Sequence, residues 1–333
     1  MRTIRFMCFI LVIATLLAAW GCTDVMLDDT SSSVGGESLI SVPDSSADVS
    51  DGEASSAPES SEESSSSAVI DNTPLYPESY DERAVYFGEH WVLNYDFTDA
   101  YFNNSVFVGN SIMLHYKNYV NNARVTDSTF LGNSTFFAAA SFSLYNNLKQ
   151  TAESPDCALP SYQGKPMKIT EAVGAMGVGT VYLSLMALND IAIYANGETG
   201  VEETYKLATK LIEELNTAYP RVKVVVLSNT YLHYSSDYSS HKLNNGSIST
   251  LNIKVLDYCN ANGIDFIDVS TVLLDGNDCL GDAFCSDVGS AAACHLTKYA
   301  YNAWTVILRD YAARKQAGTW QNPDSMKGLM PSR

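Results

Sequence analysis

Five short runs of β-branched, aromatic and other apolar residues are spaced along the chain, at Ser105–Val108, Thr135–Ala139, Val181–Met186, Val222–Leu227 and Ile264–Val269. The fourth, Val-Lys-Val-Val-Val-Leu, is almost continuously apolar, as a strand covered on both faces must be. Helix-forming sequence lies between the runs. Val201, Tyr205, Ala208, Leu211, Ile212 and Leu215 make one apolar stripe at helical spacing, and Thr199 with Glu202 has the spacing of a capping box at its start. Ile248–Asn260, closed near Gly263, and Thr297–Arg314 read as further helices. This alternation predicts an α/β fold: a three-layer α/β/α sandwich around a five-stranded parallel sheet.

A parallel sheet binds ligands beyond the carboxyl ends of its strands, so residues that follow each run share one edge. Ser111 follows the first run, in Val106-Phe107-Val108-Gly109-Asn110-Ser111, and helix-compatible sequence begins at Ile112. Asn189-Asp190 follows the third and Ser228-Asn229 the fourth; His295 lies after the fifth, just before the last helix. A serine at a helix N-terminus stands among N–H groups that favour developing negative charge. A nucleophilic hydroxyl beside oxyanion donors is what acyl transfer needs. The same position equally suits an ordinary N-cap, which serine fills well. Asn189 and Asp190 equally suit a turn.

The first residues form an export signal: Arg2 and Arg5, an apolar stretch from Phe6 to about Trp20, then Gly21-Cys22. The stretch is short for a membrane span, which takes roughly 20 apolar residues. Ala18-Ala19-Trp20-Gly21-Cys22 resembles the lipobox of bacterial lipoproteins. That resemblance implies cleavage before Cys22 and a lipid on Cys22, which would hold the protein on the extracellular face of the bacterial membrane. Plain secretion is the alternative. Residues 22–72 are rich in Ser, Asp and Glu without a Lys or Arg, and read as a disordered, self-repelling tether. Residues 73–333 are left as one folded domain. The formal net charge of -18 comes mostly from the tether, and no basic footprint for nucleic acid is present. With Cys8 in the signal and Cys22 lipidated, Cys157, Cys259, Cys279, Cys285 and Cys294 remain. No pair has C-x-x-C spacing, so a structural zinc site is not expected, and nothing in the sequence indicates a metal or an organic cofactor.

Gly109-Asn110-Ser111, Ala187-Leu188-Asn189-Asp190, and Cys294-His295-Leu296 followed by Tyr301 and Trp304, in that order, resemble the SGNH, or GDSL-type, hydrolase family from about Tyr101 to Tyr311. Asn110 stands where the family has Asp, and Ala187 where it has Gly. The resemblance implies the flavodoxin-like fold of that family and assigns roles. Ser111 is the nucleophile and His295 the base. The Ser111 N–H and the Asn189 amide hold the oxyanion. A further N–H, which the family takes from a glycine after the second strand, falls to the Ala139-Ala140-Ser141 region, with Ser141 as candidate. The family's acid lies three or four residues before the histidine, where this chain has Ala292 and Ala291. Asp287 is the nearest acid upstream and is expected to reach His295 across an inserted loop; a Ser111–His295 dyad is the alternative. A Cys285–Cys294 disulfide is expected to fold that loop back. His90, His115, His233 and His241 lack a matching context, and His115 is expected to point away from Ser111. The reading is a lipid-anchored serine esterase acting on acyl esters of small molecules or carbohydrate, including cell-wall polymer. A non-catalytic binding protein on the same scaffold, or an acyltransferase, are the alternatives. The aromatic segments Tyr86–Tyr101 and Tyr231–Tyr238 suit either a sugar groove or packing.

Overall fold

The five apolar runs become five strands of one sheet: β1 (Ser105–Gly109), β2 (Thr135–Ala138), β3 (Thr180–Ser184), β4 (Lys223–Leu227) and β5 (Asp265–Ile267). They are seen in a computed structural model that describes residues 99–148, 158–194, 196–236 and 243–329. The expected export signal and tether, with Cys22, His90, Cys157, His241 and most of Tyr86–Tyr101, lie outside the described residues. The strand order is β2-β1-β3-β4-β5 and every neighbouring pair is parallel. The order reverses between β1 and β3, which is where a doubly wound sheet opens its crevice.

The helices are α1 (Ser111–Thr126), α2 (Leu144–Leu148), α3 (Ile169–Met176), α4 (Ala187–Asp190), α5 (Gly197–Ala218), α6 (Asn245–Asn262) and α7 (Lys298–Ala317). α1 and α7 pack together on one face of the sheet, and α3, α5 and α6 cover the other. The expected start of α5 needs correction. Its cap is Asn196, whose side chain accepts from Thr199 N at 2.8 Å, so the helix begins earlier than a Thr199 cap would place it. Gly200, inside that first turn, lies so close to Ile191 that a Cβ would sit 2.9 Å from its carbonyl oxygen.

Packing under α1 and α7 is aromatic. Phe136, Phe107 and Tyr182 are register partners on three adjacent strands. Their rings stack at 5.3 Å and 4.5 Å between centroids. Tyr116 of α1 meets Phe107 edge-on at 6.0 Å and stacks on Tyr301 of α7 at 5.5 Å. Tyr116 Oη and Thr305 Oγ1 are hydrogen-bonded at 3.0 Å, and Tyr301 Oη donates to Ile112 O at 2.9 Å. Two buried hydroxyls thus fasten the two helices whose N-termini lie at the carboxyl edge.

At the other end of the sheet, Asp99 joins three parts of the chain. It accepts from Arg309 Nε at 2.8 Å and Nη2 at 2.6 Å, and from Leu131 N at 2.8 Å. Asp99 is buried while Arg309 is only partly so. Asp99→Ala leaves a partly buried guanidinium and a buried N–H without their acceptor. The expected loss is about 3 kcal/mol, read as a lowered urea midpoint at unchanged slope.

Candidate active site

β1 ends at Gly109, and α1 starts two residues later. The cap of α1 is Asn110: its side chain accepts from Ile112 N at 3.0 Å, and its carbonyl accepts from Leu114 N at 2.9 Å. Capping by Asn110 leaves Ser111 as the first helical residue, with its hydroxyl uncommitted to the cap and its N–H among those that no helical carbonyl satisfies. The hydroxyl lies 3.1 Å from His295 Nε2. His295 Nδ1 lies 2.7 Å from Asp287 Oδ2, and the His295 N–H donates to Asp287 Oδ1 at 3.0 Å. Ser111, His295 and Asp287 therefore form one hydrogen-bonded chain.

Burial pushes the Asp287 carboxyl up, but the His295 hydrogen bond and charge, the Cys285 thiol and the His295 N–H outweigh it and hold the group at about 2. Asp287 is thus an anion at neutral pH, its oxygen takes the Nδ1 hydrogen, and Nε2 is left to accept from Ser111.

The loop between acid and base is closed without a disulfide. Cys285 and Cys294 are both free thiols, which corrects the expected bridge. Cys285 Sγ instead donates to Asp287 Oδ1 at 3.3 Å. Ser286 N donates to His295 O at 2.8 Å and Ser290 N to Asp287 O at 2.9 Å. The Ser290 hydroxyl donates to Asp287 Oδ2 at 3.1 Å and accepts from Ala293 N at 2.8 Å. Gly289 turns with φ +81°, in open space. Hydrogen bonds of this kind return the chain so that an acid eight residues upstream meets the imidazole.

Residues after β4 brace the same loop. His233 N donates to Ala293 O at 2.8 Å, Gly289 N donates to Ser235 Oγ at 2.9 Å, and Ser236 Oγ donates to Ala291 O at 3.1 Å. The buried His233 ring is fixed by Asp282 at 2.6 Å and by Ser235 Oγ at 2.8 Å. Of the tyrosines in this stretch, Tyr231 is core and Tyr234 is exposed. Tyr101 packs on Phe102 and Tyr311, away from a groove role.

The residues after β3 hold the loop after β2. Asn189 Nδ2 donates to Phe142 O at 2.8 Å, which uses one of its two amide hydrogens and leaves the other for a ligand. Asp190 accepts from Leu144 N at 2.9 Å and Tyr145 N at 2.8 Å, at the start of α2. Burial raises the Asp190 carboxyl to about 7 against the pull of those two N–H groups. Ser141, in the loop so held, has φ +57°, a left-handed conformation that suits glycine. Neither Asn189 nor Ser141 is hydrogen-bonded to the Ser111–His295–Asp287 chain. Ser228 and Asn229 are structural: Ser228 Oγ joins Asp268 and Ser270, and Asn229 accepts from Ala187 N at 2.9 Å, fixing the turn that presents Asn189.

His115 corrects the expectation that it points away. Its ring centroid lies 5.1 Å from that of His295. Side chains on a helix lean toward its N-terminus, so the residue one turn after Ser111 covers the turn that carries it. Burial first, and then the His295 charge, lower its basicity, against the pull of Asp287.

No protein-family model matches the chain, and no curated protein matches it. Among the solved structures that resemble it are GDSL-like lipases and acylhydrolases. They include a GDSL-like lipase from Bacteroides thetaiotaomicron, 17% identical, with TM-score 0.45 over 64% of this chain and 88% of that one. A lipase/acylhydrolase from Enterococcus faecalis is 12% identical, with TM-score 0.42 over 66% and 99%. An acetyl xylan esterase is 14% identical, with TM-score 0.41 over 61% and 97%. Likenesses this distant carry no argument about chemistry, which rests on the side chains above.

Two outcomes follow from the carboxyls. Asp287→Asn leaves the wrong imidazole tautomer facing Ser111; phosphonylation of Ser111 by a fluorophosphonate is expected to slow by up to about 10⁴-fold, the scale of losing the acid of such a triad, read by intact mass over time. For Asp190, the folded value of about 7 stands above the usual 3.8. Between about pH 4 and 7 the folded protein keeps a proton that the unfolded chain has released, so this group's contribution to stability is lost as pH rises. Asp190→Asn flattens that slope, read from urea midpoints across the same pH range.

Proposed function

We propose that this protein is a serine esterase that hydrolyses acyl esters, with Ser111 as nucleophile, His295 as general base and acid, and Asp287 as the orienting anion. The observation that carries the reading is the continuous Ser111–His295–Asp287 hydrogen-bonded chain at the N-terminus of α1. Ser111 Oγ attacks the ester carbonyl while its proton passes to Nε2. The carbonyl oxygen becomes an oxyanion, held by the Ser111 N–H and the second hydrogen of the Asn189 amide. Collapse expels the alcohol, which takes the proton from Nε2. Water, deprotonated by the same nitrogen, then releases the acid and restores Ser111.

The proposed substrates are acyl esters on small molecules or carbohydrate, including O-acyl groups of a cell-wall polymer. Export, lipidation at Cys22 and a flexible acidic tether would suit work on a polymer outside the membrane. The formation of Asp287–His295 contact despite the displaced acid favours an enzyme over a binding protein on the same scaffold.

A fluorophosphonate probe tests the nucleophile. The wild-type chain labels and Ser111→Ala does not, by gel fluorescence and intact mass. A folded wild-type protein that stays unlabelled rejects the esterase and leaves the binding-protein reading.

A further inference from the structure

We propose that Asp287, Cys294 and His295 together bind a soft divalent cation, zinc first, and that its binding shuts off Ser111. The inhibitory half of this proposal rests on the esterase reading; the binding half does not.

One ligand atom each from Asp287, Cys294 and His295 lies within 4.8 Å of the other two. Carboxylate oxygen, imidazole nitrogen and thiolate sulfur are all zinc ligands, and a single ion would draw such atoms to about 2.0–2.3 Å from itself. A second thiol, Cys285, stands 3.3 Å from Asp287 Oδ1. Donors that include sulfur and imidazole favour zinc or cadmium over magnesium or calcium. Cys294 has no place in the proposed chemistry, and its side chain is buried. A coordinated thiol gives up its proton outright, so uptake of one cation releases one proton from Cys294 to solvent.

Inhibition follows from the tautomer. His295 Nδ1 carries its hydrogen toward Asp287 at 2.7 Å. A cation on Nδ1 needs that lone pair, so the ring hydrogen moves to Nε2, the nitrogen 3.1 Å from Ser111 Oγ. Nε2 then presents a donor where the serine hydroxyl needs an acceptor. Asp287, drawn onto the same ion, no longer orients the ring. Nothing is oxidised or reduced, and the release of the ion reverses each step.

Cobalt serves as a spectroscopic stand-in for zinc. The purified full chain, free of reductant and chelator, is titrated with Co²⁺ and read for thiolate-to-cobalt charge-transfer absorption in the near ultraviolet. The wild type and Ser111→Ala are expected to show the band, zinc to abolish it, and Cys294→Ala to lose it. Loss of a ligand should weaken binding at least as much as loss of an outer partner does, about 10- to 100-fold. Zinc should also block fluorophosphonate labelling of the wild type while Cys294→Ala, shown folded by circular dichroism, still labels. Absence of the band, or a band that survives in Cys294→Ala, overturns the site. A band with labelling untouched by zinc overturns the switch. A band in a protein that never labels supports the metal site while rejecting the esterase.

Discussion

The edge on which the chemistry would occur depends on one close approach. At the end of β1, a Cβ added to Gly109 would lie 2.6 Å from Met113 Cβ and 3.2 Å from Ser184 Cβ. Only a residue without a side chain lets α1 begin directly over the strand end and beside β3. From that start the rest follows. Asn110 caps the helix, Ser111 becomes its first residue, and His115 returns over it one turn later. A larger residue at 109 would push α1 outward, taking Ser111 from the imidazole 3.1 Å away.

Asp287 is the second organising group. It is at once a partner of the imidazole, an acceptor for the His295 N–H and an end point for the Ser290 and Cys285 side chains. A single carboxylate therefore fixes both the charge beside the histidine and the path of the loop that carries it. Its basicity is depressed because those contacts outweigh desolvation. Bracing from the residues after β4 makes the loop part of the scaffold, through bonds to Ala293, Gly289 and Ala291.

The sheet was legible in the sequence because buried parallel strands are nearly continuous apolar runs, and Val222–Leu227 is an extreme case. Ser111 and His295 were legible because each lies next to an element boundary that pattern reveals. Asp287 was legible only by default, as the nearest acid to a histidine whose usual acid positions hold Ala291 and Ala292. Its closing device was misread: the two cysteines suggested a bridge, whereas Ser290 and the backbone turn do that work through short-range bonds with no sequence signature. His115 was misjudged by counting residues around a helix without allowing for the backward lean of its side chains. The brace by His233 had no local signal at all, since its partner Asp282 lies 49 residues away.

The Tyr301 hydroxyl on Ile112 O has a consequence for how such a site fails. Ser111 starts one helix and His295 stands three residues before another, and this bond and the Tyr116–Thr305 pair tie the two helices together inside an aromatic core. The acid stands on the loop before the second of these helices, held by polar contacts to the residues after β4 and by Cys285, Ala293 and Cys294 in the core. A break in either hydroxyl contact would therefore be felt at the serine and the histidine together.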